Sequence, residues 1–356
     1  MFASTARVVW SSDSSDRTRS GVERLPRQGV SDCVRISRSA SHGREAIIAA
    51  GLFALSLTAF IVFQPARAAD AVHPASLALF ALLAGGYLTL GVEGIRSWIS
   101  GRMSSRALRL VLGPALLWIT CIAYAAAVGL DAGSRALVFG VYLAVPTLVL
   151  ATVPDDVEGR APWRELLAAA FLGLAIKYHM LPGLPVPAPS GFDASRLVGL
   201  VAGLYLFLVG RPTKGVGFTW SLGAGDFGVA LLAFAAFAVL ALPIGLGTGF
   251  LTWHPKHGWT NLLQPIVIYL ITAVPEEFLF RGLIQNFLMR WAGPAIGFGV
   301  ASVIFGLSHL PDPRYAFLAT LAGAAYGWVY LRTGKITASA LTHALVDAVW
   351  VVLLHR

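Results

Sequence analysis

Three short stretches near the C-terminal end place ionisable side chains inside apolar sequence. They are Glu276-Glu277-Phe278-Leu279-Phe280-Arg281, Phe305-Gly306-Leu307-Ser308-His309 and His343-Ala344-Leu345-Val346-Asp347. On a helix, Glu277 and Arg281 stand four residues apart and share a face, so the guanidinium can pair with that carboxylate. Glu276 is turned by about 100° from its neighbour and is left free for chemistry. A carboxylate left free within apolar sequence can act as a general base toward water. His343 and Asp347 again lie four apart on one face. Each stretch taken alone also fits a packing role: an ion pair joining two spans, an interfacial histidine, a His–Asp hydrogen bond between helices. Pro275, just before the acidic pair, is expected to open its helix locally and admit water.

These stretches must be held by elements that are themselves apolar. The chain has 356 residues, 56% hydrophobic and 13% charged, with mean hydropathy +0.71. Soluble domains are about a quarter charged. Residues 1–45 hold 8 Lys and Arg and 5 Asp and Glu, which leaves 32 charges for the other 311 residues. That is too few to clothe a surface in water, and it excludes an ordinary soluble enzyme. Apolar runs recur at 46–63, 75–92, 110–130, 136–153, 166–182, 196–210, 227–250, 264–289, 294–310, 315–331 and 336–354. A spanning helix needs about 20 such residues. The runs do not alternate in hydropathy, which excludes a barrel. The expected fold is an all-α, polytopic transmembrane helical bundle of about 10–11 spans. Ionisable groups at that depth are expensive, about 2.5–3.5 kcal/mol each on insertion scales, and tend to mark function.

The chain divides into a basic head at 1–45 with no core to bury, expected to be disordered, transmembrane helices of unassigned role at 46–261, and a C-terminal core at 262–356. With the head inside, 19 basic residues fall on the inner side and 6 on the outer. That bias predicts a multi-pass integral membrane protein with a cytoplasmic N-terminus, in the plasma (inner) membrane if the source is prokaryotic. Ala66-Arg67-Ala68 has the A-x-A form of a signal-peptidase site, but 45 residues are too many for the region before it. The net charge of +9 comes from Arg residues that punctuate apolar runs, so no nucleic-acid partner is expected. Cys33 and Cys121 suggest neither a disulfide framework nor a thiolate site. Gly293 with Gly297, and Gly323 with Gly327, let helices approach closely.

In order, the three stretches match E-E-x-x-x-R, F-x-x-x-H and H-x-x-x-N/D. This set resembles the CAAX protease and bacteriocin-processing family of intramembrane glutamate-type endopeptidases, which includes the type II CAAX prenyl endopeptidase. The resemblance covers roughly 262–356. It implies that Glu276 and His309 activate water, that Glu277 and Arg281 orient that glutamate, and that His343 and Asp347 stabilise the oxyanion. Many relatives have Asn at the Asp347 position; here Asp347 is either protonated or accepts from His343 and keeps that ring oriented and cationic. The implied partners are the lipid bilayer and a membrane-associated protein or peptide, including CAAX-type or lipidated substrates. No cofactor is expected, the alternative being a divalent metal on Glu276, His309 and His343. Rival readings are a non-catalytic module of the same fold, for self-immunity or scaffolding, and a transporter. Gly223-Ala224-Gly225-Asp226-Phe227-Gly228 mimics both a dinucleotide fingerprint and the G-x-G-D of presenilin-like peptidases. It lacks a preceding strand for the first and a Tyr-Asp partner for the second, so Asp226 is read as a helix-start residue.

Overall fold

The computed structural model describes residues 27–62, 73–154, 161–186, 193–255 and 264–355. The A-x-A motif and residues 1–26 of the head lie outside the described residues. Residues 1–40 and 41–356 form separate units, and the site lies in the second. Helix α1 (Arg27–Val62) begins within the stretch read as the head.

Each of the eleven apolar runs coincides with a helical segment. In chain order these are α1, α2 (Pro74–Thr89), α4 (Arg106–Ala127), α5 (Ala132–Ala151), α6 (Trp163–Lys177), α7 (Ala194–Tyr205), α8 (Ala224–Gly247), a composite segment over 264–292, α12 (Pro294–Leu307), α13 (Pro313–Thr333) and α14 (Ile336–Leu353). Helix α3 (Glu93–Arg102) falls where the sequence suggested a loop, bent by 99° from α2. The protein is an all-α polytopic bundle, and fewer of its helices are by themselves long and apolar enough to cross a membrane than the 10–11 spans expected. Among the described residues five helices are long and apolar enough to cross a membrane, or six if α2 and α3 make one bent span. The physical reason is length and polarity. Helix α12 has 14 residues, which reach about 21 Å against a hydrocarbon core of about 30 Å. Helix α13 is longer but carries Arg314, Arg332 and three tyrosines.

Helix α7 is apolar apart from Ser195 and the exposed Arg196 at its start, and nearly every residue from Ala194 to Gly210 is buried, which places it at the heart of the N-terminal helices. By contrast α4 and α8 expose large apolar side chains, including Leu116, Ile119, Leu232 and Val239. Such faces suit lipid and would be ruinous in water. Helix ends follow local rules. Asp131 caps α5 by accepting from Gly133 and Ser134, and Asp312 caps α13 ahead of Pro313. Asp226 accepts from the Gly223 N–H at the start of α8 and pairs with Lys335 at 2.8 Å, which fits its reading as a helix-start residue. Cys121 is a buried free thiol; the Cys33 side chain lies outside the described ones. A two-residue antiparallel ladder, β1 (Thr252–Trp253) on β2 (Leu354–His355), ties down the end of α14.

Candidate active site

The acidic pair lies on the composite segment. There α9 (Gln264–Ile268), α10 (Val274–Glu277) and α11 (Asn286–Ala292) are joined by wider π turns at Tyr269–Ala273 and Phe278–Gln285. Val274 donates its N–H to Tyr269 O, and Asn286 to Arg281 O, each five residues back. Pro275 has no N–H and cannot continue an i→i−4 ladder; it stands between the two widened turns.

Glu277 and Arg281 are wholly buried, with Arg281 Nε 3.1 Å from Glu277 Oε2. Ser339 Oγ donates to the same oxygen at 2.6 Å, and His343 Nδ1 lies 3.0 Å from Oε1. Three donors from two helices therefore converge on one carboxylate, the arrangement a buried charge requires. Arg281 Nη2 donates to Gly323 O at 3.2 Å, and its guanidinium lies 4.7 Å from the Phe305 ring centroid and 5.5 Å from that of Tyr326. One turn on, Gln285 donates to Gly327 O at 3.1 Å. A Cβ at Gly327 would stand 2.8 Å from Gln285 Oε1, and one at Gly323 3.0 Å from Ser302 O. The glycine pair thus keeps two carbonyls of α13 within reach of two polar side chains four residues apart, beyond the close packing its spacing suggests.

Glu276, turned away from that set, keeps 38% of its side-chain surface exposed. Its nearest ionisable contact is His343 Nε2, at 4.0 Å. The same nitrogen lies 3.4 Å from Asp347 Oδ2, a carboxylate 33% exposed. Both ring nitrogens of His343 therefore face carboxylate oxygens, to which a ring N–H can only donate. Asp347 thus faces the ring of His343, as both arrangements considered for it require. Tyr326 stacks on the imidazole, centroids 4.6 Å apart at 15°.

His309 occupies the turn after α12. Its Nδ1 lies 2.8 Å from Phe305 O; a carbonyl only accepts, so Nδ1 carries a proton, and in the neutral ring Nε2 keeps its lone pair. The ring is held between Phe305 and Tyr315, 4.9 and 4.6 Å away. Among the described residues no hydrogen bond joins His309 to Glu276. Phe305 links the halves instead, its ring touching His309, Phe280, Tyr326 and His343.

All six residues singled out in the sequence thus gather around Phe305 and the Glu277 carboxylate. Sequence reasoning missed Ser339, Tyr326 and Gln285. They are neutral residues, Ser339 and Tyr326 in Ala-rich helices and Gln285 in an apolar turn, and nothing in their spacing set them apart. Among the described residues no group of three or more His, Cys, Asp or Glu is arranged to hold a metal ion.

Residues 258–349 match the family model described as type II CAAX prenyl endopeptidase, Rce1-like. The match takes in about a quarter of the chain and every residue of the cluster. No curated protein and no solved structure matches the chain.

Proposed function

We propose that the protein is an intramembrane endopeptidase, because residues 258–349 match the Rce1-like model, a family that points to a protease, and five described helices are long and apolar enough to cross a membrane. It hydrolyses a peptide bond in a membrane-associated substrate, a lipidated or CAAX-type C-terminus being the form the family name favours. One observation carries this reading. The part-exposed carboxylate of Glu276 stands beside a buried set in which Arg281, Ser339 and His343 all face the Glu277 carboxylate. Ion pairs that only hold helices together need no such exposed acidic neighbour.

In the proposed reaction Glu276 and the Nε2 lone pair of His309 polarise a water molecule. Its proton passes to Glu276 as the oxygen attacks the scissile carbonyl carbon. The C–N bond then breaks as that proton moves to the leaving nitrogen, giving a carboxylate and an amine. His343, held at Nδ1 by Glu277, turns Nε2 toward Glu276 and Asp347 and offers that N–H to the charge developing on the carbonyl oxygen. Asp347 keeps the ring turned. Glu277 and Arg281 are sealed from solvent, so they position Glu276 and His343 and do not touch substrate.

The test is cleavage of internally quenched C-terminal peptides, with and without a farnesylated Cys-a-a-X end, by the full chain in lipid nanodiscs. Wild type cuts at least one; Glu276→Ala and His309→Ala cut none. Undiminished cleavage by Glu276→Ala sinks the glutamate mechanism. A cellular phenotype that survives both substitutions favours a non-catalytic scaffold.

A further inference from the structure

Helix α6, outside the Rce1-like segment, reaches the cluster. Gly173 of α6 packs so closely on the catalytic segment that a Cβ there would stand 2.7 Å from Leu279 Cδ2. Leu279 follows the Glu276-Glu277 pair by two residues, so α6 lies directly against the turn that presents it. Lys177 comes four residues after Gly173, on the same face of α6. Its Nζ donates to the backbone carbonyl of Ser308. Ser308 is the C-cap of α12 and the residue before His309. Carbonyls at a helix C-terminus lack partners within the helix and carry partial negative charge, so an ammonium there answers both needs. The charge of Lys177 is also felt by Glu276 and His309. In the sequence Lys177 merely interrupts an apolar run; in the fold it closes α6 over the His309 turn.

We propose that Lys177 is a positioning residue for the peptidase: by holding the Ser308 carbonyl it fixes the His309 turn against the segment that carries Glu276. Gly173 is the contact that brings α6 close enough to do so. This rests on the reading of Glu276 and His309 as the water-activating pair. It also gives the region before residue 258 a part in the chemistry, through α6.

Two measurements on the full chain in nanodiscs test it, with Lys177→Met and Lys177→Arg. The first is amide hydrogen exchange at Ser308, His309 and Leu310, whose N–H groups bond to Ile304, Gly306 and Leu307. Lys177→Met speeds exchange there by about tenfold, and Lys177→Arg returns it to within about threefold of wild type. Unchanged exchange in Lys177→Met overturns the proposal, whether or not the protein cleaves anything. The second is kinetics on a quenched peptide that wild type cuts. Lys177→Met lowers kcat about tenfold with KM within about twofold, and Lys177→Arg restores kcat. A raised KM at constant kcat would make Lys177 a substrate anchor, and equal losses in both variants would remove the role of charge; either overturns the proposal. If wild type cuts no peptide, the peptidase reading fails, while the exchange measurement still decides the contact.

Discussion

Glu277–Arg281 and Glu165–Arg211 are the same chemical pair in two settings. In the C-terminal core the nitrogen and oxygen lie 3.1 Å apart with both side chains sealed. In the N-terminal helices they lie 3.3 Å apart, Glu165 2% and Arg211 10% exposed. Both arginines belong to π turns: Arg281 lies inside Phe278–Gln285, and Arg211 closes Leu206–Gly210 with its N–H on Leu206 O at 2.8 Å. A buried ion pair on a widened turn is therefore not in itself a site. What differs is the neighbourhood. Glu277 is followed around its helix by Glu276, half open, and is bonded to a histidine that contacts both. Glu165 sits between Arg164, which donates to Thr152 O, and Leu166. In the proposed mechanism the pair is scaffold, and the exposed carboxylate beside it carries the chemistry.

The sharpest way to break this comparison is to neutralise one carboxylate at each place. Glu276→Gln is expected to lower cleavage per folded molecule by about 10³-fold, the scale of losing a general base. Glu165→Gln should leave it within about threefold, and an equal loss at Glu165 would refute the distinction. Removing the guanidinium comes next in size. Arg281→Ala strands a wholly buried carboxylate and is expected to destabilise the fold by about 3–5 kcal/mol. Arg211→Ala, at a pair that still reaches solvent, should cost about 1–3 kcal/mol. Thermal unfolding in nanodiscs ranks the two, and a reversed order would mean that burial does not set their difference. The smallest effect is expected at Asp347. An Asn there still offers an oxygen to His343, so Asp347→Asn should keep cleavage within about tenfold of wild type. Loss as deep as that of Glu276→Gln would make Asp347 a participant in proton transfer.

Much of this was legible in the sequence because polar residues are so scarce. With few charges spread over the apolar runs, Glu276, Glu277, Arg281, His309, His343 and Asp347 stood out by type alone. The i, i+4 spacing then separated the paired Glu277 from its free neighbour. The eleven helical segments were equally visible as runs. How many of them cross a membrane was not, because an apolar run does not reveal where Gly, Pro or a tyrosine shortens or bends its helix. The second layer of the site was also hidden. Ser339 and Tyr326 acquire their partners only when α13 and α14 pack on the composite segment. Lys177 looked like a flaw in a span, since its target lies 131 residues further along the chain.

The π turn at Phe278–Gln285 has a consequence for insertions and deletions. A π turn amounts to one surplus residue in an α-helix. Deleting a single position there, Ile284 for example, would let the segment relax into regular α-helix. Because the wider turns already absorb that residue, everything beyond would keep nearly its present direction. Gln285 would stay on the side of Gly327 O and Asn286 on that of Lys214 O, now 3.1 and 2.9 Å away. Deleting Leu321 from the regular helix α13 would instead turn Gly323, Tyr326 and Gly327 by about 100°. The yield of folded protein should therefore fall far less for deletion of Ile284 than for deletion of Leu321. Along this stretch the molecule holds one residue in reserve.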